Sequence, residues 1–441
     1  MLRTIDLRGR TLTTAELLAA VPRATDARRT ALTVAAEIVA DVASRGESAL
    51  REQAERFDGA TGHAIRVPDD QLDAAVATLD PSVRDALEQA IDRVRVASHA
   101  QVPSPTTTEL SPGARVTQRW QPVGRVGVYV PGGKAVYPSS VVMNVVPAQV
   151  AGVRQVALAS PPQREHGGRI DPAILAAARL LGITEVYAMG GAGAIGALAH
   201  GVPGIGLEPV DVVTGPGNNY VAAAKRVVAG LVGTDAEAGA TEILVVADAA
   251  ADADLIAADL VSQAEHDEQA SAVLVTDSEP LAVEVRRLVE LRSAVTKNGA
   301  RARTALAGPQ SAVVLVDDRA GAVAFSNAYA PEHLELHLVD PRPAEFVNAG
   351  ALFVGRYSPV SLGDYLAGSN HVLPTGGQAR YAAGLSAATF LRPQQVVEYD
   401  RDALAEVEDA IVVLADAEDL PAHGEAVRAR FGVRPGPADV A

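Results

Sequence analysis

Hydrophobic positions along the chain predict helices first and then an alternation of strands and helices. In the first hundred or so residues, apolar positions recur at helical spacing, with an interruption near Gly46. From "GRVGVYVPGG" onward, short β-branched runs are each followed by a helical stretch, and this alternation begins again after Glu242. Such alternation predicts parallel sheets with right-handed crossovers, and its restart predicts two of them. The predicted strands are "QVALAS", "EVYAM", "DVVTG", "EILVVAD", "SAVLVTD" and "SAVVLVD".

One helix is delimited by its own sequence. In "DPAILAAARLLG", Asp171 is a typical N-cap, Pro172 fits the first helical position and Gly182 lies just past the end. The Gly- and acid-rich segment at residues 230–242 predicts a loop between the two sheet units. We therefore predict an α/β fold with two Rossmann-like parallel-sheet domains and small helical extensions at the N-terminus and the C-terminus.

Composition and charge exclude several classes of protein. The chain has 441 residues, of which 48% are hydrophobic and 21% charged, an ordinary globular balance that allows two or more domains. A net charge of −16 without a basic cluster argues against a nucleic-acid partner. The start, "MLRTIDLRGRTL", lacks the apolar core of a signal peptide, and the longest uncharged run is broken by Gly, His and Pro. We therefore expect a cytoplasmic protein without a membrane partner.

The chain has no cysteine. This excludes disulfides, iron–sulfur clusters and thiolate zinc sites, and it also excludes a cysteine nucleophile. Any covalent or hydrolytic chemistry must therefore depend on oxygen and nitrogen groups.

The run "VSQAEHDEQA" at residues 261–270 concentrates polar side chains at the end of a predicted helix. This helix begins near Asp252 or Asp254, and Gln263 and His266 fall on or beside its apolar stripe. Taken alone, the run is more typical of hydrogen-bonded core residues beside a solvated acidic face than of a metal site.

Three predicted strands of the first sheet end at glycines. "GAGAIG" at residues 191–196 fits the dinucleotide pattern, with Asp211 about twenty residues further on, but close helix packing explains these glycines equally well. "TGPGNNY" leads into a helix whose N-terminus is a natural anion seat, and "VYVPGG" places Tyr129 at a strand end. Together they predict a ligand crevice at the carboxyl edge of the sheet.

Three further polar segments follow downstream, and each alone is typical of a solvated turn or surface residue. "YAPEHLELHL" sets Glu332 beside His333, "SLGDYLAGSNHVLPT" contains Asp364 and His371, and "LADAEDLPAHGEAV" contains Glu418 and His423.

The segments "YVPGGKAVYPSSVVMN", "GPGNNYV", "QAEHD", "APEHLE" and "GDYLAGSNHVLPT", in this order and at these separations, resemble histidinol dehydrogenases. The resemblance extends from near the N-terminus to His423, so it covers almost the whole chain. It implies an NAD-dependent oxidation of L-histidinol to L-histidine through L-histidinal, the last steps of histidine biosynthesis, with two NAD⁺ used in succession and one zinc ion per subunit.

The resemblance also implies a role for individual residues. Glu332 matches the residue that activates water, and His333 matches the general base. The metal ligands match Gln263, His266, Asp364 and His423, and the partner subunit of a homodimer donates His423 together with Glu418. Substrate contacts match Thr241, Gln263, His266, His333, Asp364, His371, Glu418 and His423, and NAD contacts match Tyr129, Asn218 and the position of Gly193.

Departures from the family pattern fall outside these metal and catalytic residues. Gly193 stands where many relatives have Gln, Ala240 where they have Pro, and Val360 where they have Glu. The Gly193 replacement affects an expected NAD contact. A zinc hydrolase with a Glu/His-activated water is an alternative for the same residues.

The resemblance predicts four parts of the chain. They are an N-terminal extension at residues 1–26, a metal- and substrate-binding domain at 27–128 plus 243–385, an inserted nucleotide-binding domain at 129–242, and a C-terminal extension at 386–441 that contributes to the partner's site.

Overall fold

The computed structural model describes residues 2–23, 26–132, 136–236 and 239–432. The chain divides into two compact units, Met1–Val102 with Val123–Phe390, and Pro103–Pro122 with Leu391–Ala441. Within the described ranges, no helix has both the length and the apolar character that a membrane span requires.

Strands and helices alternate through most of the larger unit. In chain order the strands are β1 (Arg3–Asp6), β2 (Thr106–Ser111), β3 (Ala114–Pro122), β4 (Arg125–Tyr129), β5 (Gln155–Ser160), β6 (Glu185–Ala188), β7 (Val212–Thr214), β8 (Gly233–Thr234), β9 (Glu242–Ala247), β10 (Ser271–Thr276), β11 (Ala312–Leu315), β12 (His333–His337), β13 (Ala351–Val354) and β14 (Leu391–Tyr399). The helices are α1 (Thr14–Ala20), α2 (Asp26–Arg45), α3 (Glu47–Gln53), α4 (Asp69–Thr78), α5 (Pro81–Ala100), α6 (Pro138–Ala151), α7 (Pro172–Leu180), α8 (Gly191–His200), α9 (Asn219–Val228), α10 (Ala253–Ala264), α11 (Glu279–Val295), α12 (Gly299–Ala307), α13 (Arg319–Tyr329), α14 (Val360–Tyr365), α15 (Arg401–Ala417) and α16 (Pro421–Arg428).

The first parallel sheet has five strands in the order β6-β5-β4-β7-β8. Chain order reverses between β4 and β7, which is the switch point where doubly wound sheets bind ligands at their carboxyl ends. Helices α2, α8 and α9 cover one face with an apolar core. Helix α7 begins as the sequence predicts, because Asp171 Oδ1 accepts the Ala173 N–H at 2.8 Å and Pro172 occupies the first turn.

The second sheet has six parallel strands in the order β1-β11-β10-β9-β12-β13. Helices α10, α11 and α12 pack on one face, and α13 packs on the other through Phe325 and Tyr329. Two parallel sheets are therefore confirmed. The sequence assigns the first 26 residues to a helical extension, but β1 extends the edge of this sheet beside β11.

The smaller unit contains an antiparallel sheet in the order β14-β3-β2, followed by α15 and α16. The sequence predicts only helices in the C-terminal extension, but this segment begins with strand β14. The strand is not evident from local sequence, because its pairing partner β3 lies almost three hundred positions earlier in the chain. An ion pair between Arg115 and Glu398, with Nη2 and Oε1 2.9 Å apart, lies across this pairing.

Candidate active site

The end of α10 carries the polar run that the sequence singles out. Asp252 Oδ1 caps the helix by accepting the Asp254 N–H at 3.1 Å. Gln263 lies on the buried stripe as predicted, with only 3% of its surface exposed. The helix ends at Ala264, so His266 lies in the terminal turn, where its N–H donates to the Gln263 carbonyl at 3.3 Å.

The adjacent strands β9 and β12 bring Thr241 and Glu332 together at their amino ends. In the sheet register His333 lies beside Ile243, so the residues just before both strands are neighbours. Thr241 Oγ1 donates to Glu332 Oε2 at 2.6 Å, and the Glu242 N–H donates to the same oxygen at 2.9 Å. Gln263 Nε2 in turn donates to Thr241 Oγ1 at 2.5 Å. The threonine hydroxyl therefore links the end of α10 to the Glu332 carboxylate.

The Glu332 carboxyl is buried, with 6% of the residue exposed. Burial raises its pKa to about 7, although His333 and the hydrogen bonds from Thr241 and Glu242 act in the opposite direction. A carboxyl with this pKa exchanges protons near neutral pH, as a general acid or base must.

His333 is held in one tautomer by the backbone. Its Nδ1 lies 3.0 Å from the Glu242 carbonyl oxygen, and since a carbonyl can only accept, Nδ1 carries the hydrogen. The other ring nitrogen, Nε2, is buried and has no hydrogen-bond partner among the described residues. In the neutral ring, Nε2 is therefore a free base inside the site.

Asp364 and His371 come from the segment after β13. Asp364 lies in α14, and its carbonyl oxygen accepts a hydrogen bond from His371 Nδ1 at 2.9 Å. Burial lowers the pKa of both His266 and His371, and the nearby Asp364 charge opposes this at both rings. The charges of four side chains therefore act on one another in the folded protein, and these are His266, His333, Asp364 and His371.

Glu418 and His423 belong to the smaller unit. Glu418 is the C-cap of α15 and His423 lies in the first turn of α16. Both residues are exposed. Their assignments as substrate contact and metal ligand stay predictions.

Tyr129 and Asn218 lie at the switch point of the first sheet, where the sequence predicts a crevice. The Tyr129 hydroxyl accepts the Gly191 N–H at 3.1 Å, and burial raises its pKa to about 12. Asn218 Oδ1 caps α9 by accepting the N–H groups of Tyr220 at 3.0 Å and Val221 at 3.2 Å. Two of the backbone N–H groups that the sequence predicts for an anion-binding site at the start of α9 therefore already donate to the Asn218 side chain. Gly133 of "VYVPGG" lies outside the described residues.

Two of the three glycines of "GAGAIG", Gly193 and Gly196, serve helix packing. A side chain at Gly193 would overlap the Gln53 amide oxygen, and a Cβ on Gly196 would lie 3.2 Å from Val39 Cα. These contacts favour the packing interpretation over a pyrophosphate loop, since the glycines allow α2 and α3 to approach α8 closely.

Gly196→Ala is expected to lower the free energy of unfolding by about 1–3 kcal/mol, the usual cost of overpacking against a backbone that cannot move aside. Denaturant unfolding would measure the change. Gly204→Ala is the matched control, because its added Cβ meets only the flexible end of Glu47 at 3.2 Å. Equal stability of the two variants would contradict the packing role of Gly196.

One cluster of metal-ligating side chains is not predicted from the sequence. Asp259, Glu335 and His337 place their ligand atoms within 4.8 Å of one another. The only signal in the sequence is the alternation of polar residues in "EHLELH", which a strand places on one face.

Comparison with known proteins gives a consistent result. The sequence profile of the family described as histidinol dehydrogenase matches residues 21–431. Histidinol dehydrogenase of Leifsonia xyli subsp. xyli is 62% identical over 98% of this chain and 100% of its own length. That of Corynebacterium glutamicum is 54% identical over 98% of each chain. The crystal structure of histidinol dehydrogenase from Elizabethkingia anophelis matches with a TM-score of 0.89 and 33% identity, covering 98% of both chains. This chain belongs to the histidinol dehydrogenase family.

Proposed function

We propose that the protein oxidises L-histidinol to L-histidine through L-histidinal, with NAD⁺ as the hydride acceptor in each of the two steps. The observation that carries this proposal is the buried Nε2 of His333, which has no hydrogen-bond partner in the described part of the chain and lies beside a Glu332 carboxyl whose pKa is raised to about 7. The site therefore holds two bases suited to two successive proton transfers.

In the first step, His333 Nε2 takes the proton of the alcohol as hydride leaves the carbon. Nδ1 keeps its hydrogen and continues to donate it to the Glu242 carbonyl oxygen, so the ring keeps its orientation while Nε2 becomes protonated. The resulting imidazolium would lie close to Glu332, whose Oε2 is 3.5 Å from Nδ1. That carboxylate would stabilise the charged ring.

In the second step, the aldehyde must be hydrated before a second hydride can leave, because the chain has no cysteine to form a thiohemiacetal. Glu332 takes a proton from the attacking water. Thr241 and the Glu242 N–H both hold Oε2, which leaves Oε1 for the water.

Gln263, His266 and Asp364, with His423 of a second copy, would hold the zinc ion. The donor set fits zinc, because it offers two imidazoles, a carboxylate and an amide oxygen. Gln263 fits this role, since its Nε2 donates to Thr241 and the amide oxygen is left for the metal. When bound, zinc supplies a fixed point for the substrate's nitrogen atoms and so orients the alcohol carbon.

The remaining contacts complete the proposal. His371, Thr241 and the partner's Glu418 would line the substrate pocket, and Glu418 suits the cationic amine of histidinol. Tyr129 and Asn218 would contact NAD, whereas Gly193 offers only its backbone. The proposal also includes the four predicted parts of the chain and a cytoplasmic homodimer.

The decisive test is NADH formation from purified protein with L-histidinol and NAD⁺, before and after metal removal. We expect two NADH per histidinol, loss of activity on chelation, and recovery with zinc. A zinc-loaded protein that forms no NADH would contradict the proposal and would favour the zinc hydrolase alternative.

A further inference from the structure

Strand β12 carries a buried carboxylate, Glu335. His333, Glu335 and His337 alternate along the strand and therefore face the same side, toward α10. Glu335 is fully buried, and its neighbours in the sheet register are Val245 and Phe353. A carboxylate in such surroundings is costly unless other groups compensate its charge.

The groups around Glu335 are metal-ligating side chains. Its Oε2 lies 3.3 Å from His337 Nε2, and its Oε1 accepts the Val360 N–H at 2.8 Å. Asp259, one turn before Gln263 on α10, completes the group, with all ligand atoms within 4.8 Å of one another. Asp259 is only partly buried, so the cluster opens toward solvent on that side.

The charges of this cluster do not balance. Two carboxylates lie beside a single imidazole. Arg292 also acts on Asp259, but its guanidinium is engaged by Asp254 at 2.5 Å. The cluster therefore has room for a proton or a cation.

Its position in the fold also favours a ligand. His337 is the last residue of β12 and pairs with Ala247, the last residue of β9. These strands flank the switch point of the second sheet, and their carboxyl ends are where doubly wound folds bind ligands. The catalytic pair lies at the opposite, amino end of the same strands, about 13 Å away along β12 at the usual rise per residue.

We propose that Asp259, Glu335 and His337 form a second metal site, distinct from the site of Gln263, His266 and Asp364, that binds a divalent transition metal such as Zn²⁺. Two carboxylates and an imidazole are suitable donors. Glu335 Oε2 and His337 Nε2 are 3.3 Å apart, close enough for both atoms to bind one ion. The ion ties α10 to β12, which carry Gln263 and His333.

The test is the number of metal ions bound per chain when metal-free, full-length protein is titrated with Zn²⁺ and the bound metal is measured after removal of excess. We expect two ions per chain in the wild type. His337→Gln removes the imidazole but keeps a polar group of similar size, and it should reduce the number to one while leaving histidinol oxidation in place. Asp364→Asn should also reduce the number to one, with oxidation lost.

Glu335→Gln provides a second check, because the amide oxygen can still accept the Val360 N–H. It should bind one ion, and added Zn²⁺ should raise its thermal unfolding temperature less than that of the wild type. One ion per wild-type chain, with His337→Gln unchanged and Asp364→Asn metal-free, would overturn the second site and leave the proposed function intact. Two ions in both His337→Gln and Glu335→Gln would also overturn it.

Discussion

Replacing His333 with alanine is expected to lower kcat for histidinol oxidation by about 10²- to 10⁴-fold, the usual contribution of a general base. The Nε2 of this ring is buried and has no hydrogen-bond partner among the described residues, so it is available to take the alcohol proton.

The measurement is steady-state NADH formation with saturating NAD⁺ and varied histidinol. A base acts in the transition state, so kcat should fall far more than KM rises. His99→Ala, at an exposed position of α5, is the control and should retain wild-type rates. A His333→Ala variant with nearly normal kcat would assign the alcohol proton to another group.

Replacing Glu332 with glutamine is expected to stop the reaction after the first hydride transfer. Without a cysteine, the aldehyde proceeds only through its hydrate, and the amide of glutamine cannot accept a proton from water. We expect the second oxidation to slow by about 10²- to 10⁴-fold. The NADH yield per histidinol should therefore approach one in short reactions, and an aldehyde-trapping reagent should capture histidinal.

The pH dependence provides an independent check on Glu332. Its pKa is raised to about 7, so the ionised base becomes more abundant as pH rises through this value. The wild-type rate with histidinal as substrate should rise over the same range, and Glu332→Gln should lack that limb. Glu55→Gln, at an exposed position, should keep the wild-type profile. A wild-type rate independent of pH near 7 would contradict an ionising Glu332.

The same raised pKa has a consequence for stability. Folding favours the protonated carboxyl, because the folded pKa of about 7 exceeds the ordinary glutamate pKa of 4.5. This contribution to stability is full below the unfolded pKa and is lost as pH rises toward 7. Wild-type protein should therefore lose stability over this range relative to Glu332→Gln, as denaturant unfolding at several pH values would show.

The sequence by itself determined the alternation of strands and helices that builds the two parallel sheets. The alternation of apolar runs predicted two parallel sheets, and local cap chemistry placed the start of α7 at Asp171, because both depend on residues close together in the chain. The motifs also identified the family, since several short segments occur at characteristic separations.

The tertiary structure alone decided how the site residues relate to one another. The Thr241 hydroxyl between Gln263 and Glu332, the tautomer of His333 and the raised pKa of Glu332 all arise from contacts between residues far apart in sequence. Periodicity reports which face of a helix or strand is buried, but not what lies opposite. For the same reason, the pairing of β14 with β3 and the position of the Glu335 carboxylate beneath α10 could not be predicted from periodicity. Strand register and helix placement are set by packing across the whole chain.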